Sequence, residues 1–378
     1  MTLSGQSPSG FLPLDTSDPM SVIYACYQCG SCTGVCPLRK VSQYNPRAII
    51  HASLLGHSLS EDDLTDCLTC RQCYEVCPQQ IDFPLFIQSQ RAQLGVNEQN
   101  FAHHNIFNLL QDMQSKNSEK GMEFEYEGDL NPEGNIAYFP GCIDLFDRLL
   151  DLEQVDFHQI GQSAINLINK AGIEPNLVSL KCCGHDAFWS GDNESFKKIR
   201  SYNEKILKKS GIAILILSCA ECYYSFKELY QLDNITIQHI SEFIVKNSDN
   251  FSKGDMEPAT VTYHDPCRLG RYLGEYDNPR EAIKGIDGIT FTELPKNRGS
   301  TQCCGVSAWM KCDDKSRYLM LQKLEEATKT GASTLTVSCT KCFAHLNCVL
   351  HDKKPQHNFD IQIKELGTLV DEAIPRVK

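Results

Sequence analysis

The feature that most restricts the fold of this chain is an internal repeat in its C-terminal two thirds. Three cysteine-containing stretches recur in the same order: YFPGC at 138–142 and YHDPC at 263–267, KCCGHDAFWSGD at 181–192 and QCCGVSAWMKCD at 302–313, and ILSCAECYYSF at 216–226 and TVSCTKCFAHL at 336–346. The stretches are similarly spaced in both copies. Such a duplication predicts two similar domains, 136–250 and 251–378, that pack as a pseudo-twofold pair.

Short apolar runs within each half predict buried β-strands. They are NIAYF at 135–139, IAILIL at 212–217, TVTY at 260–263 and STLTV at 333–337. Helix-like stretches at 195–210 and 316–330 alternate with them. Alternating strands and helices predict an α/β fold with largely parallel strands. The last C-x2-C of each half then follows the carboxyl end of a strand, where open α/β sheets bind their ligands.

The N-terminal segment contains two cysteine runs of the same form. Residues 26–37 read CYQCGSCTGVCP and residues 67–78 read CLTCRQCYEVCP. In this C-x2-C-x2-C-x3-C-P spacing, three thiolates surround one cubane and the fourth reaches a neighbouring cluster. The prediction is therefore two 4Fe-4S clusters, one held by Cys26, Cys29, Cys32 and Cys77, the other by Cys67, Cys70, Cys73 and Cys36. Structural zinc is the competing interpretation, although zinc favours well-separated C-x2-C pairs.

The segment around these runs is predicted to be helical. Asn45 can cap a helix that opens with Pro46, and Ser60 with Asp63 indicates a second helix start. We expect a helical domain over 1–112. The polar stretch 113–135 is predicted to be a linker.

Composition excludes several classes of function. The chain has 378 residues, a net charge of -12 and 20 cysteines. Its acidity argues against nucleic-acid binding, and its longest apolar run is far below the roughly 18 residues of a membrane span. The first twenty residues do not have the form of a secretory signal, so we expect a cytoplasmic protein whose membrane contact, if any, runs through a partner. Reduced cytosolic thiols favour metal ligation over disulfides.

Each repeat carries a set of five cysteines that includes an adjacent pair followed by glycine. The first-half set is Cys142, Cys182, Cys183, Cys219 and Cys222. The second-half set is Cys267, Cys303, Cys304, Cys339 and Cys342. Neighbouring thiolates diverge and reach different irons of an extended cluster more easily than one iron. Gly184 and Gly305 would let the backbone turn sharply and approach such a core.

The doubled C-x(30–40)-CCG-x(34–37)-C-x2-C pattern resembles the CCG domain of the heterodisulfide reductase family. The N-terminal runs, with NPR at 45–47, resemble that enzyme's ferredoxin-like subunit, and their spacing resembles the all-helical ferredoxin module of fumarate reductases. The resemblance implies two cubanes, and one non-cubane 4Fe-4S cluster in each five-cysteine set. It also implies that all ten cysteines of the two sets act at the catalytic site, where the disulfide of coenzyme M and coenzyme B is split between the clusters.

Three functions follow from these patterns. The leading hypothesis is a disulfide reductase, because both five-cysteine sets are intact. The alternative is an electron-transfer subunit of a flavin-dependent oxidoreductase or anaerobic respiratory complex. A zinc-containing scaffold is the third. The chain has no G-x-G-x-x-G dinucleotide motif, so any flavin is expected in a partner. The partner that donates electrons is expected to be a flavoprotein or a membrane cytochrome.

Several side chains near the cysteines have two interpretations. His185, His264 and His345 could protonate a leaving thiolate or serve only as hydrogen-bonded wall residues. Cations flanking the second set could bind anionic substrate groups or compensate cluster charge; they are Arg268, Arg271, Lys311 and Lys341. Trp189 and Trp309 are interpreted as packing residues. Cys312 and Cys348 lack counterparts in the first half and are expected to be buried thiols without a ligand role.

Overall fold

The N-terminal part of the chain consists of helices and turns. The computed structural model describes residues 19–96, 101–117, 120–150, 152, 154–251, 255–352 and 359–374. The first helices are α1 (Ser31–Val35), α2 (Pro46–Leu54), α3 (Glu61–Thr65), α4 (Gln72–Glu75), α5 (Phe83–Leu94) and α6 (Ile106–Lys116), with 3-10 turns at Pro19–Ile23, Pro37–Lys40 and Ala102–Asn105. Within 19–96 and 101–117 no strand is found.

The helix starts predicted from sequence are confirmed. Asn45 precedes α2 and its side chain accepts a hydrogen bond from the Ala48 N–H, while Pro46 is the first helical residue. Ser60 and Asp63 form a reciprocal capping box at the start of α3. Both devices satisfy backbone N–H groups that the first turn of a helix leaves without partners.

The first half is a four-stranded parallel sheet with helices around it. Its strands are β1 (Ile136–Phe139), β2 (Asn176–Leu177), β3 (Ile214–Leu217) and β4 (Thr236–His239), in the order β2-β1-β3-β4. Its helices are α7 (Ile143–Leu149), α8 (His158–Lys170), α9 (His185–Ser190), α10 (Asn193–Lys209), α11 (Ala220–Tyr224) and α12 (Ile240–Lys246), and a π-helical turn at Ser225–Leu229 extends α11.

The second half repeats this topology. Its strands are β5 (Asp255–His264), β6 (Asp287–Thr292), β7 (Thr334–Val337) and β8 (Gln362–Glu365), all parallel, in the order β6-β5-β7-β8. Its helices are α13 (Asp277–Lys284), α14 (Asp314–Thr328), α15 (Thr340–Leu350) and α16 (Leu366–Ala373). The predicted parallel α/β fold and its duplication are therefore confirmed.

The long helices α10 and α14 begin two residues before their predicted starts. Asp192 caps α10 by accepting from the Ser195 N–H, and Asp313 caps α14 by accepting from Lys315 and Ser316. An aspartate is a preferred cap, so each aspartate fixes the start of its helix.

Helices from both halves meet between the two sheets. Helix α8 of the first half packs on α16 of the second half. Their equivalents, α13 of the second half and α12 of the first half, also pack on each other. Their shared apolar core includes Ile165, Ile240, Ile283 and Leu369, all nearly inaccessible to solvent. Two equivalent contacts between equivalent helices are the relation that a pseudo-twofold axis produces.

The N-terminal helices pack onto the first half through α5. The buried Arg91 guanidinium donates to the carbonyl oxygens of Leu64 at 2.8 Å, Cys67 at 2.8 Å and Trp189 at 2.6 Å. These bonds join the second cysteine run to α9. Helix α6 extends into the stretch predicted as a linker, and within that stretch Tyr126 is buried against the first half.

Candidate metal centres

Two clusters of thiols lie in the N-terminal part. One cavity is lined by Cys26, Cys29, Cys32, Cys77 and Cys73. A second is lined by Cys36, Cys67, Cys70 and Cys73. The fourth cysteine of each run thus lies with the first three of the other run, and Cys73 lies between the two groups. All these thiols are free.

The two runs curl in the same way. In each run the residues on both sides of the second cysteine are left-handed: Gln28 (φ 64°) and Gly30 (φ 83°) in the first, Thr69 (φ 48°) and Arg71 (φ 66°) in the second. Left-handed backbone is uncommon outside glycine and clusters at functional sites. It turns three successive cysteines toward a common centre.

The first-half set lies at the carboxyl ends of the strands. Cys142 follows β1, the Cys182–Cys183 pair follows β2, and Cys219 and Cys222 lie at the start of α11. Strands β1 and β3 are neighbours although β2 separates them in sequence, so the set lies at the point where strand order reverses. The Sγ atoms of Cys142 and Cys182 are 3.4 Å apart.

The second-half set occupies the equivalent place. Cys267 follows β5, and Cys339 and Cys342 lie at the start of α15. The Sγ atoms of Cys304 and Cys342 are 3.3 Å apart. The same five positions are therefore gathered in both halves.

Glycines shape the backbone around both sets. Gly184 and Gly305 are left-handed, with φ of 76° and 99°. Gly141, also left-handed, is so close to the thiols that a Cβ there would lie 2.9 Å from Cys222 Sγ. Only glycine leaves this space free.

Thiols of different groups also contact one another. Hydrogen bonds from Cys222 and Cys339 lower the pKa of Cys219. The contact between Cys219 and Cys339 joins the first-half set to the second-half set. A hydrogen bond from Cys303 lowers the pKa of Cys70. This contact joins the second-half set to the second cysteine run. The four groups therefore follow one another in space, from the Cys29 group through the Cys70 group and the second-half set to the first-half set.

A buried ionic cluster lies where the two halves meet. Lys341 Nζ is 2.8 Å from Glu221 Oε2 and also pairs with Asp186. Burial opposes the charge of Lys341, but the two carboxylates outweigh it and raise its pKa. Sequence reasoning missed Asp186 and Glu221. The available signal was that Glu221 and Lys341 occupy the same position of their C-x2-C motifs with opposite charges.

The histidine beside the first vicinal pair belongs to this cluster. His185 Nδ1 lies 3.0 Å from Asp186 Oδ1, and its Nε2 accepts from Arg268 Nε at 2.8 Å. Because arginine only donates, the ring proton is on Nδ1. Burial lowers the pKa of His185 to about 3, so the ring is neutral. Both nitrogens are occupied, which favours the wall interpretation over a proton donor.

The two arginines beside Cys267 donate to backbone oxygens. Arg268 donates to Thr69 O at 2.7 Å, and Arg271 donates to Cys70 O at 2.6 Å and Thr301 O at 2.8 Å. Both are buried. These contacts favour charge compensation and fixation of the second run over binding of a substrate anion. Lys311 instead lies 3.3 Å from Asp62.

The tryptophans and unmatched cysteines complete the surroundings. Both tryptophans are buried, and Trp309 stacks on Phe107 with ring centroids 4.3 Å apart, as expected of packing residues. The expectation for Cys312 was wrong, since its side chain is exposed, and Cys348 is only partly buried. Cys312 lies in a loop before the cap of α14, which leaves it at the surface.

The chemistry of these groups fits iron-sulfur clusters. Each group offers several free thiols, which iron-sulfur centres use as thiolate ligands. The glycine cradle at Gly141 and the left-handed turns of the N-terminal runs hold the backbone close around each group.

Comparison with known proteins supports the same chemistry. Residues 22–81 match a 4Fe-4S dicluster domain, and residues 136–227 and 261–347 each match the cysteine-rich CCG domain. One component of the dihydromethanophenazine:CoB–CoM heterodisulfide reductase of Methanosarcina acetivorans is 24% identical, over 93% of this chain and 93% of the relative. The chain belongs to the iron-sulfur oxidoreductase family related to heterodisulfide reductase.

Other comparisons extend this family assignment. An uncharacterized iron-sulfur protein of Methanococcus maripaludis is 27% identical, over 96% of this chain and 75% of the relative. The crystal structure of a hypothetical protein from Helicobacter pylori has the same fold, with a TM-score of 0.55 over 96% of this chain and 77% of that protein at 10% identity. Among the described residues of this family member, no helix has both the length and the apolarity needed to cross a bilayer.

Proposed function

We propose that this chain is an iron-sulfur disulfide reductase that cleaves a heterodisulfide of the coenzyme M–coenzyme B type. The observation that carries the proposal is the contact between Cys219 and Cys339, because it brings the two five-thiol sets to a common boundary. A disulfide lying at that boundary would have one sulfur beside each set. The reaction adds two electrons and two protons to the disulfide and releases two thiols.

The ligands follow from the thiol groups. One 4Fe-4S cubane would be held by Cys26, Cys29, Cys32 and Cys77, and a second by Cys67, Cys70, Cys73 and Cys36. Each five-thiol set would hold one non-cubane 4Fe-4S cluster. Bound there, the clusters would supply one-electron transfer.

The protein's own residues align and enclose the route. Arg271 ties Cys70 to the loop before Cys303, which fixes the second run against the second-half set. Phe107 and Trp309 line the cavity over the first-half set with stacked aromatic rings. The ionic cluster of Lys341, Asp186 and Glu221 holds the two C-x2-C turns against each other.

The remaining organisation is part of the proposal. Residues 1–112 form a helical ferredoxin-like domain, 113–135 connect it to the first CCG domain at 136–250, and 251–378 form the second. Electrons enter at the group around Cys29, whose side chain is exposed, from a flavoprotein or membrane cytochrome partner. The flavin lies in that partner, and the protein works in the cytoplasm, at the membrane only through the partner.

A second candidate is an electron-transfer subunit of a flavin-dependent oxidoreductase or anaerobic respiratory complex. The observation in its favour is that Arg268, Arg271 and Lys341 all donate to protein groups. These cations are then not free to bind the sulfonate or phosphate of a coenzyme disulfide.

Anaerobic iron analysis combined with a thiol-release assay separates the two functions. Four 4Fe-4S clusters give ~16 iron per chain, whereas loading of the N-terminal groups alone gives ~8. Loaded protein supplied with reduced viologen and coenzyme M–coenzyme B heterodisulfide is expected to release two thiols per two electrons. Fully loaded protein that oxidises viologen only when a flavoprotein substrate system is added, and releases no thiols, would favour the electron-transfer function.

A further inference from the structure

The two five-thiol sets have the same cysteines but different neighbours. Alignment of the repeats places His264 opposite Phe139 and His345 opposite Ser225. The second-half set therefore has two imidazoles at positions where the first-half set has a phenyl ring and a hydroxyl. The duplication preserved the ligands and changed what surrounds them.

Both imidazoles lie against the second vicinal pair. A ring nitrogen of His264 lies within 4.8 Å of the Sγ atoms of Cys304 and Cys342, and the side chain is only 1% exposed. His345 Nδ1 lies 3.0 Å from the Cys304 carbonyl oxygen. A carbonyl oxygen only accepts, so His345 Nδ1 carries a proton. Cys304 is thus contacted on its sulfur side by one histidine and on its backbone by the other.

Hydrogen bonding to the charged form of a group favours that form. The two imidazoles are therefore placed to stabilise negative charge at Cys304, whereas the equivalent residues of the first half, Phe139 and Ser225, offer no imidazole there.

Fixed charges differ in the same direction. The guanidiniums of Arg268 and Arg271 lie beside Cys267, and that of Arg271 also lies beside Cys303. The first-half cavity is lined by Asp186 and Glu221, with Lys341 as the cation in its lining, and Arg268 contacts it through His185. Positive charge and hydrogen bonds to sulfur both stabilise the reduced, more negative form of an iron-sulfur centre.

We propose that His264 and His345, together with the two arginines, make the second-half set the higher-potential of the two CCG centres, so that it receives the first electron. This inference rests on the proposed clusters. The electron comes from the reduced centre of the Cys70 group, which is oxidised while the second-half centre is reduced by one electron, with no bond made or broken. His264 and His345 are positioning residues that act through Cys304. The second-half set then holds one electron beside the incoming route until a second arrives.

An anaerobic redox titration followed by electron paramagnetic resonance tests this inference on the loaded protein. In the wild-type protein the two CCG centres are expected to differ at least tenfold in their equilibrium constants for reduction, which is about 59 mV for a one-electron centre. His264→Phe copies the first half and should lower the equilibrium constant for reduction of the second-half centre about tenfold. Phe139→His makes the reverse change and should raise the equilibrium constant for reduction of the first-half centre. His264→Gln retains an N–H donor and should keep most of the wild-type value.

The outcomes separate this inference from the proposed function. Equal wild-type constants, or constants that His264→Phe and Phe139→His both leave unchanged, would overturn the inference. If His264→Phe fails to assemble, the wild-type separation and the Phe139→His shift decide. Separate potentials with no thiol release would contradict the reductase function and leave the inference standing. Thiol release with equal potentials would do the reverse.

Discussion

Lys341 and Glu221 occupy the same position in the two repeats and meet at 2.8 Å between Nζ and Oε2. Each is the second residue after the first cysteine of its C-x2-C motif. Equivalent charged residues that meet across a pseudo-twofold axis favour opposite signs, because two like charges would repel. The duplicated chain has placed a cation on one side and an anion on the other, and Asp186 adds a second carboxylate.

Removing the cation from this cluster should destabilise the protein. Lys341→Met leaves two buried carboxylates without their partner, and such a loss costs about 3–5 kcal/mol. Anaerobic denaturant unfolding of the loaded protein measures the change. Lys341→Met combined with Glu221→Gln removes one of the stranded charges and should recover part of the loss. Equal effects of the single and double variants would show that the pair is not coupled.

The glycine before Cys142 should be required for loading the first-half set. Gly141→Ala places a methyl group 2.9 Å from Cys222 Sγ and strains a residue at φ 77°. We expect iron to fall from ~16 to ~12 per chain, with the N-terminal cubane signals unchanged.

Gly172→Ala is the matched control for this variant. Gly172 has the same φ of 77°, but a Cβ there meets nothing within 4 Å. It carries the strain without the steric contact and should keep full iron content. Equal iron loss in both variants would assign the effect to backbone strain alone.

The sequence was sufficient to predict the elements and the thiol groups. Short apolar runs predicted the positions of β1, β3, β5 and β7, and the capping residues Asn45 and Ser60 predicted two helix starts. These signals are local: an apolar run or a capping side chain acts on its own segment. The repeat supplied the long-range part, because equivalent segments must form equivalent structures.

Contacts between modules could not be predicted in this way. Cys70 is far from Cys303 in sequence, and nothing in either motif indicates that the two thiols touch. The sequence makes Arg268 and Arg271 candidates for substrate binding, but their positive charges face backbone oxygens of the 67–70 loop. Docking between modules depends on three-dimensional shape, which one sequence does not show.

Arg271 should be needed for electron passage from the N-terminal part. Its guanidinium bridges Cys70 O and Thr301 O, and a lysine can place only one ammonium group there. In Arg271→Lys we expect the N-terminal cubanes to be reduced at the normal rate and the CCG centres several-fold more slowly. Stopped-flow absorption after mixing with reduced viologen measures both phases. An unchanged second phase would argue against this bridge.

A buried carboxyl at the start of α16 should make stability fall with rising pH. Burial raises the pKa of Glu365 to about 8, against about 4.3 in an unfolded chain. The folded state therefore keeps a proton that the unfolded state releases, and raising the pH between these values favours unfolding. From pH 6 to pH 8 the loss is on the order of 2 kcal/mol.

Glu365→Gln removes this titration, and unfolding free energies at pH 6 and pH 8 should then differ less by that amount. Glu372→Gln, at an exposed carboxylate of the same helix, is the control and should leave the pH dependence unchanged. A wild-type protein whose stability does not fall over this range would contradict the assignment.

The central claim is that both halves form one site for one disulfide. The most direct test is thiol release from the heterodisulfide by Cys183→Ala and Cys304→Ala, each altered in one half only, with reduced viologen as donor and cubane reduction as the loading check. The account predicts that either variant loses thiol release completely while its N-terminal cubanes are still reduced. Retention of about half the wild-type activity in either variant would mean that the halves act separately, and would contradict it.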